Sequence, residues 1–70
     1  MESITGKVLL GALGYILVND KDKMVCKLVS LSESMDFYSV KEKTVTVEGE
    51  YTGELILMKT KVLNVLNIKF

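Results

Sequence analysis

From Val8 to Asn19 the chain runs without a charged residue, and Gly11 and Gly14 interrupt the run. A stretch of this kind has three readings: a membrane span, a glycine loop around a phosphate, or two strands joined by a turn. A helix needs about 20 apolar residues to cross a bilayer, so the run is too short. It has no small-residue cleavage site, and Lys7 is the one basic residue ahead of it, which does not fit a signal peptide. The expectation is a chain with no membrane or targeting segment, cytoplasmic or part of a soluble assembly.

The phosphate-loop reading fails on spacing. Gly6 and Gly11 have the gap of a P-loop, but Ala12 and Leu13 follow where Lys and Ser or Thr are required. Gly11 and Gly14 supply only part of a dinucleotide fingerprint. Two strands fit better. "ITGKVLL" places Ile4, Gly6, Val8 and Leu10 on one face, "GALG" turns the chain, and "YILVN" returns before a second turn at "NDKD".

The remaining sequence continues the pattern. Ala12 is the single alanine, so the best helix former is nearly missing, while β-branched and aromatic residues abound. "KMVCKLVSLS" is apolar on both faces and reads as a strand covered on both sides. "MDFYSV" reads as a strand with Met35 and Phe37 opposite Tyr38 and Val40. In "TVTVEG", Val45 and Val47 point inward and Thr44 and Thr46 outward. "EGEYTGE" reads as a turn or as a strand bulged at Gly53, and Leu55 to Met58 as a continuous apolar strand. "NVLNIKF" alternates, with Leu66, Ile68 and Phe70 opposite Val65, Asn67 and Lys69. Helical spacing of Leu63, Leu66, Asn67 and Phe70 competes over this last segment, and its β-branched content favours the strand. The expected fold is all-β: a single small domain over residues 1–70, a β-sandwich or barrel of six to seven mostly antiparallel strands.

A chain of 70 residues buries a small core and usually needs a staple. One cysteine excludes an internal disulfide, and the absence of histidine leaves Cys26 without a zinc ligand set. Oligomerisation remains, so a homo-oligomer is expected. Nine lysines balance nine acidic residues, and there is no arginine. A neutral chain without a guanidinium fork is a poor nucleic-acid binder, and near-zero net charge removes the repulsion that opposes self-association.

Little here supports catalysis. Without histidine the usual general base is missing, and the acidic residues at 20, 22, 48, 50 and 54 sit in turn-like stretches without the burial that tunes a catalytic carboxylate. Asp20 and Asp22 fail the calcium-loop pattern, because lysines interleave and no glycine follows in register. Cys26 reads as a buried structural thiol. The expectation is a non-enzymatic protein with no cofactor and no metal.

The segments "GYILVNDKDKMVCKLVSLSESMDFYSVKEKTV" and "YTGELILMKTKVLNVL" resemble the small β-sandwich family of phage tail-tube proteins. That family runs through a glycine, a strand, a short polar turn, a strand ending near serine and an alternating strand, and later a T-G-x-L-x-L-x-K stretch. Thr52, Gly53, Leu55, Leu57 and Lys59 occupy that stretch here. Tail-tube chains are usually longer, and the loop before the T-G stretch is shorter in this chain. The resemblance implies a non-enzymatic, ring-forming virion component whose strands join neighbouring subunits. The strand ending in Phe70 would be such an exposed edge.

Three functions follow as expectations. The first is a self-assembling structural β-protein, with Ile56, Met58, Val65 and Phe70 as candidate interface residues. The second is a small oligomeric barrel that sequesters an anionic small molecule or blocks a partner protein, with Lys7, Lys27, Lys59, Tyr15 and Tyr51 as candidate ligand contacts. The third is a nucleic-acid binder of the OB or SH3 kind, which the charge balance makes the weakest.

Overall fold

The computed structural model describes residues 1–21, 23–31, 35–56 and 59–69. Five strands form in the order β1 (Glu2–Gly11), β2 (Gly14–Val18), β3 (Met24–Val29), β4 (Thr44–Ile56) and β5 (Thr60–Lys69), with one 3-10 turn at Tyr38–Val40 between β3 and β4. They close into a barrel in the order β1-β2-β3-β5-β4. Every neighbouring pair is antiparallel except β3 and β5, which run parallel from Cys26 opposite Lys61 to Val29 opposite Asn64.

The fold is all-β as expected, and of the two expected architectures it is the barrel, closed by five strands where six to seven were expected. Two segments account for the difference. "MDFYSV" does not pair as a strand. Asp36 accepts the Ser39 N–H at 3.2 Å through Oδ1, and its carbonyl accepts the Ser39 hydroxyl at 3.1 Å. This local bonding offers the backbone an alternative to a ladder, and the Val40 N–H donates to the Phe37 carbonyl at 3.2 Å. "TVTVEG" and "EGEYTGE" merge into the single 13-residue β4, which passes Gly53 as a bulge with φ +89° rather than as a turn. The segment read as a strand from Leu55 to Met58 ends its strand at Ile56; Leu57 and Met58 lie outside the described residues. The carboxy-terminal segment is a strand, not a helix.

The core lies inside the barrel. Val8, Leu17, Cys26, Leu28, Val40, Val45, Val47, Leu63 and Val65 form one buried cluster, supplied by every strand and by the 3-10 turn. Val45 and Val47 point inward, and Thr44 is exposed. In β3 only one face is buried: Cys26 and Leu28 are interior, while Val25, Lys27 and Val29 are half-buried on the other side. β3 is therefore not covered on both faces.

Gly6 marks the bend at which β1 passes from one partner to another, since the next residue, Lys7, pairs with both Val18 and Thr44. A Cβ at position 6 would stand 2.5 Å from the Val18 carbonyl oxygen, so the bend needs glycine. The residues after the 3-10 turn strap β1: the Val8 N–H donates to the Lys43 carbonyl at 3.1 Å, and the Glu42 N–H donates to the Val8 carbonyl at 2.6 Å.

β5 is not an unpaired edge strand. It is flanked by β3 along 61–64 and by β4 along most of its length. Barrel closure thus removes most of the exposed edge that the tail-tube resemblance implies.

Candidate functional site

The surface carries three clefts worth building from their residues. The largest, about 460 Å³, lies against the outer face of β1 and is lined by Thr5, Gly6, Lys7, Asn19, Asp20 and Thr44. Asn19 shapes its rim, because Oδ1 accepts the backbone N–H groups of Lys21 and Lys23, both at 3.0 Å. That is the side-chain turn chemistry the "NDKD" motif suggests. The cleft offers one ammonium, Lys7, beside the carboxylate of Asp20, so its charge is balanced rather than anion-selective.

The second cleft, about 250 Å³, sits where the β4–β5 hairpin outruns the barrel and is lined by Tyr51, Gly53, Glu54, Leu55 and Lys61. The Lys61 ammonium lies 4.9 Å from the centre of the Tyr51 ring, within cation–π reach. The Tyr51 hydroxyl is held above its ordinary pKa by partial burial first, and then by the negative charge that Cys26 and Glu2 would carry. Leu55 beside it is 61% exposed.

The third cleft, about 350 Å³, is lined by Ser30, Leu31, Asn64, Val65 and Leu66. It opens where the chain leaves β3: the Leu31 N–H donates to Asn64 Oδ1 at 3.4 Å. Leu31 is 90% and Leu66 51% exposed. Two large apolar side chains flank one apolar depression.

No one cleft described here is lined by more than one of the five residues expected to hold a ligand. Lys7 lines the first cleft and Tyr51 the second, each without any of the other four. Tyr15 packs against the core, its ring 5.5 Å from that of Phe37. Lys27 crosses beside Gly14, its Cε 3.7 Å from where a Cβ would stand. Lys59 lies in the β4–β5 connection with φ +58°. Of the four expected interface residues, Val65 is 1% exposed inside the barrel, so it is a core residue and not a surface contact. Ile56 is half-buried at the end of β4, and Met58 and Phe70 lie outside the described residues.

Lys61 and Leu31 did not stand out in the sequence. Lys61 reaches Tyr51 through the β4–β5 pairing, which a linear reading does not supply. Leu31 follows an apolar strand and looks like its continuation.

Buried chemistry is sparse. Cys26 is fully buried, and burial pushes its thiol up to about 11. Among the described residues no polar or charged side chain is buried, and no cluster of three metal-ligating side chains occurs. No helix among them is long and apolar enough to cross a membrane. Comparison of the chain with protein-family models, with curated proteins and with solved structures finds no match in any of the three.

Proposed function

We propose that this chain is a non-enzymatic interaction protein that works by self-association. The observation that carries the reading is the pair of exposed leucines, Leu31 and Leu66, on either side of an apolar cleft. Exposed apolar surface of this kind marks contact with another macromolecule. A chain with zero net charge adds no repulsion between copies. The non-enzymatic part is supported by the lack of histidine and by the burial of the one thiol. Ring assembly of the tail-tube kind would need long open strands, and the closed barrel leaves only short ones. Capture of a small anion would need converging cations, and the cleft that Lys7 lines includes neither Lys27 nor Lys59. Light scattering behind size exclusion, from low to high micromolar protein, tests the reading: a mass that rises above 7.8 kDa supports it, and a constant monomer mass rejects it.

A second reading is favoured by the barrel connectivity. OB-type barrels bind oligonucleotides and oligosaccharides beside their β1–β2 and β4–β5 loops, and Tyr51 with Lys61 stands at the base of the latter. Fluorescence anisotropy with a labelled oligonucleotide at two salt concentrations tests it. Binding that weakens steeply with salt supports it; a flat response at both rejects it.

A further inference from the structure

We propose that residues 37–43 form a strap that opens on its own while the five-stranded barrel stays closed. This opening does not depend on the self-association reading, and it concerns the seam between β1 and β4.

The first observation is that strands make only half of this seam. β1 and β4 pair from Glu2 opposite Gly49 to Lys7 opposite Thr44. Over residues 9–11, β1 pairs with β2 alone among the described residues. The strap stands in for β4 at Val8, which it meets in a parallel bridge through Lys41.

The second observation is how little ties the strap down. Its described backbone bonds to the barrel fall on Val8 alone: the Val8 N–H donates to the Lys43 carbonyl, and the Glu42 N–H donates to the Val8 carbonyl. Its other described backbone bonds are internal, from the Val40, Lys41 and Lys43 N–H groups to the carbonyls of Phe37, Tyr38 and Val40. The Lys41 ammonium is internal too, 5.3 Å from the centre of the Tyr38 ring. Opening therefore costs the bonds at Val8, the burial of Val40 and the half-burial of Phe37 against Tyr15. Val40 is the one fully buried side chain of the segment, and Tyr38 beside it is 69% exposed. A segment with so few buried apolar contacts belongs to the low-stability end of a fold.

The third observation is that the strap already stands off from the second half of β1. A cleft of about 190 Å³ lies between them, lined by Leu9, Leu10, Lys41 and Glu42. Glu42 at its rim is held at φ +66°, a left-handed conformation that is unfavourable for a residue other than glycine. Opening relieves it. What opening uncovers is the seat of Val40 in the core, beside the freed amide and carbonyl of Val8.

Native-state hydrogen exchange, followed by NMR in sub-denaturing urea, tests the strap. The Val8 and Glu42 amides are expected to exchange together, about tenfold or more faster than those of Val47 and Leu63 once intrinsic rates are divided out. Val47 and Leu63 each have a strand on both sides. Urea should accelerate Val47 and Leu63 steeply and leave Val8 and Glu42 nearly unchanged, because its effect scales with the surface that an opening exposes. Val40→Ala should speed Val8 and Glu42 by about tenfold, as loss of a buried anchor. One shared rate and one shared urea slope for all four amides overturn the strap, and so does a Val40→Ala chain in which Val8 and Glu42 are no faster. Should V40A fail to fold, the urea slopes of the parent chain decide alone.

Discussion

Val65 and Ile68 both pack toward the barrel interior, although they lie three positions apart along β5. In a regular strand that spacing would send them to opposite faces. Leu66 is the reason. Asn67 pairs with Glu48 and Val65 with Gly49, so Leu66 is the extra residue of a bulge, and the inward phase shifts by one.

Gly49 is what permits the bulge. A Cβ there would run into the backbone carbonyl of Asn64, which cannot move without breaking the β3–β5 ladder. Gly49→Ala should therefore destabilise the fold by about 3 kcal/mol, at the upper end for overpacking. Gly53→Ala meets nothing within 4 Å but must hold φ +89°, which costs about 1–2 kcal/mol. Urea denaturation of both variants checks the order; equal losses would remove the steric account of Gly49.

Leu63 and Leu55 lie on the same hairpin but differ in environment, at 0% and 61% exposure. Leu63→Ala should lose about 2–5 kcal/mol as a core truncation. Leu55→Ala should stay within about 0.5 kcal/mol, as exposed sites do. A large loss at Leu55 would mean that the hairpin tip is packed in solution.

The Cys26 thiol should react with a disulfide reagent at pH 8 only as fast as the barrel opens, since it is fully buried. Its pKa is raised from 9.0 to about 11. The unfolded thiol ionises first as pH rises, so the unfolded state binds fewer protons, and stability declines between about pH 9 and 11. Cys26→Ala should show a shallower alkaline decline than the parent chain. Identical slopes would show that the thiol is not desolvated.

Glu48 is held below its ordinary 4.5, first by the hydrogen bond from Asn67 Nδ2 at 3.1 Å, and also by the charge and hydrogen bond of Lys69. A depressed carboxyl supports the fold above its unfolded pKa, and that support is lost as pH falls through the folded one. Carbon NMR titration should place the Glu48 midpoint below 4.5. Asn67→Ala, which removes the largest single cause, should raise it. An unchanged midpoint in Asn67→Ala would remove that hydrogen bond as the main cause.

Much of the barrel could be read directly where strands alternate regularly. Val45 and Val47 point inward as their spacing predicts, and Asn19 makes the turn that "NDKD" suggests. What failed depended on contacts distant in sequence. The phase of β5 breaks at Leu66 because of Gly49 on another strand, and alternation within β5 cannot reveal that. "MDFYSV" has strand-like composition, but Asp36 bonding to Ser39 commits it to a turn. Lys and Tyr are legible in the sequence only by type, and only pairing across β4 and β5 brings Tyr51 to Lys61. Regular alternation puts Val65 on one face with Asn67 and Lys69, and the bulge at Leu66 is what places Val65 inside instead.

The parallel contact between β3 and β5 has a kinetic consequence. The three hairpin ladders join neighbours in sequence, and such hairpins form in about 1–10 μs. The ladders that complete the barrel join distant segments, Ile4 with Val47 and Leu28 with Leu63. Their loop-closure entropy must be met before they contribute anything. Refolding should therefore be set by these late encounters and fall in the millisecond-to-second range of β-topologies. With no proline in the chain, no isomerisation phase of tens of seconds should follow, and stopped-flow refolding of the dilute protein should decay as a single exponential.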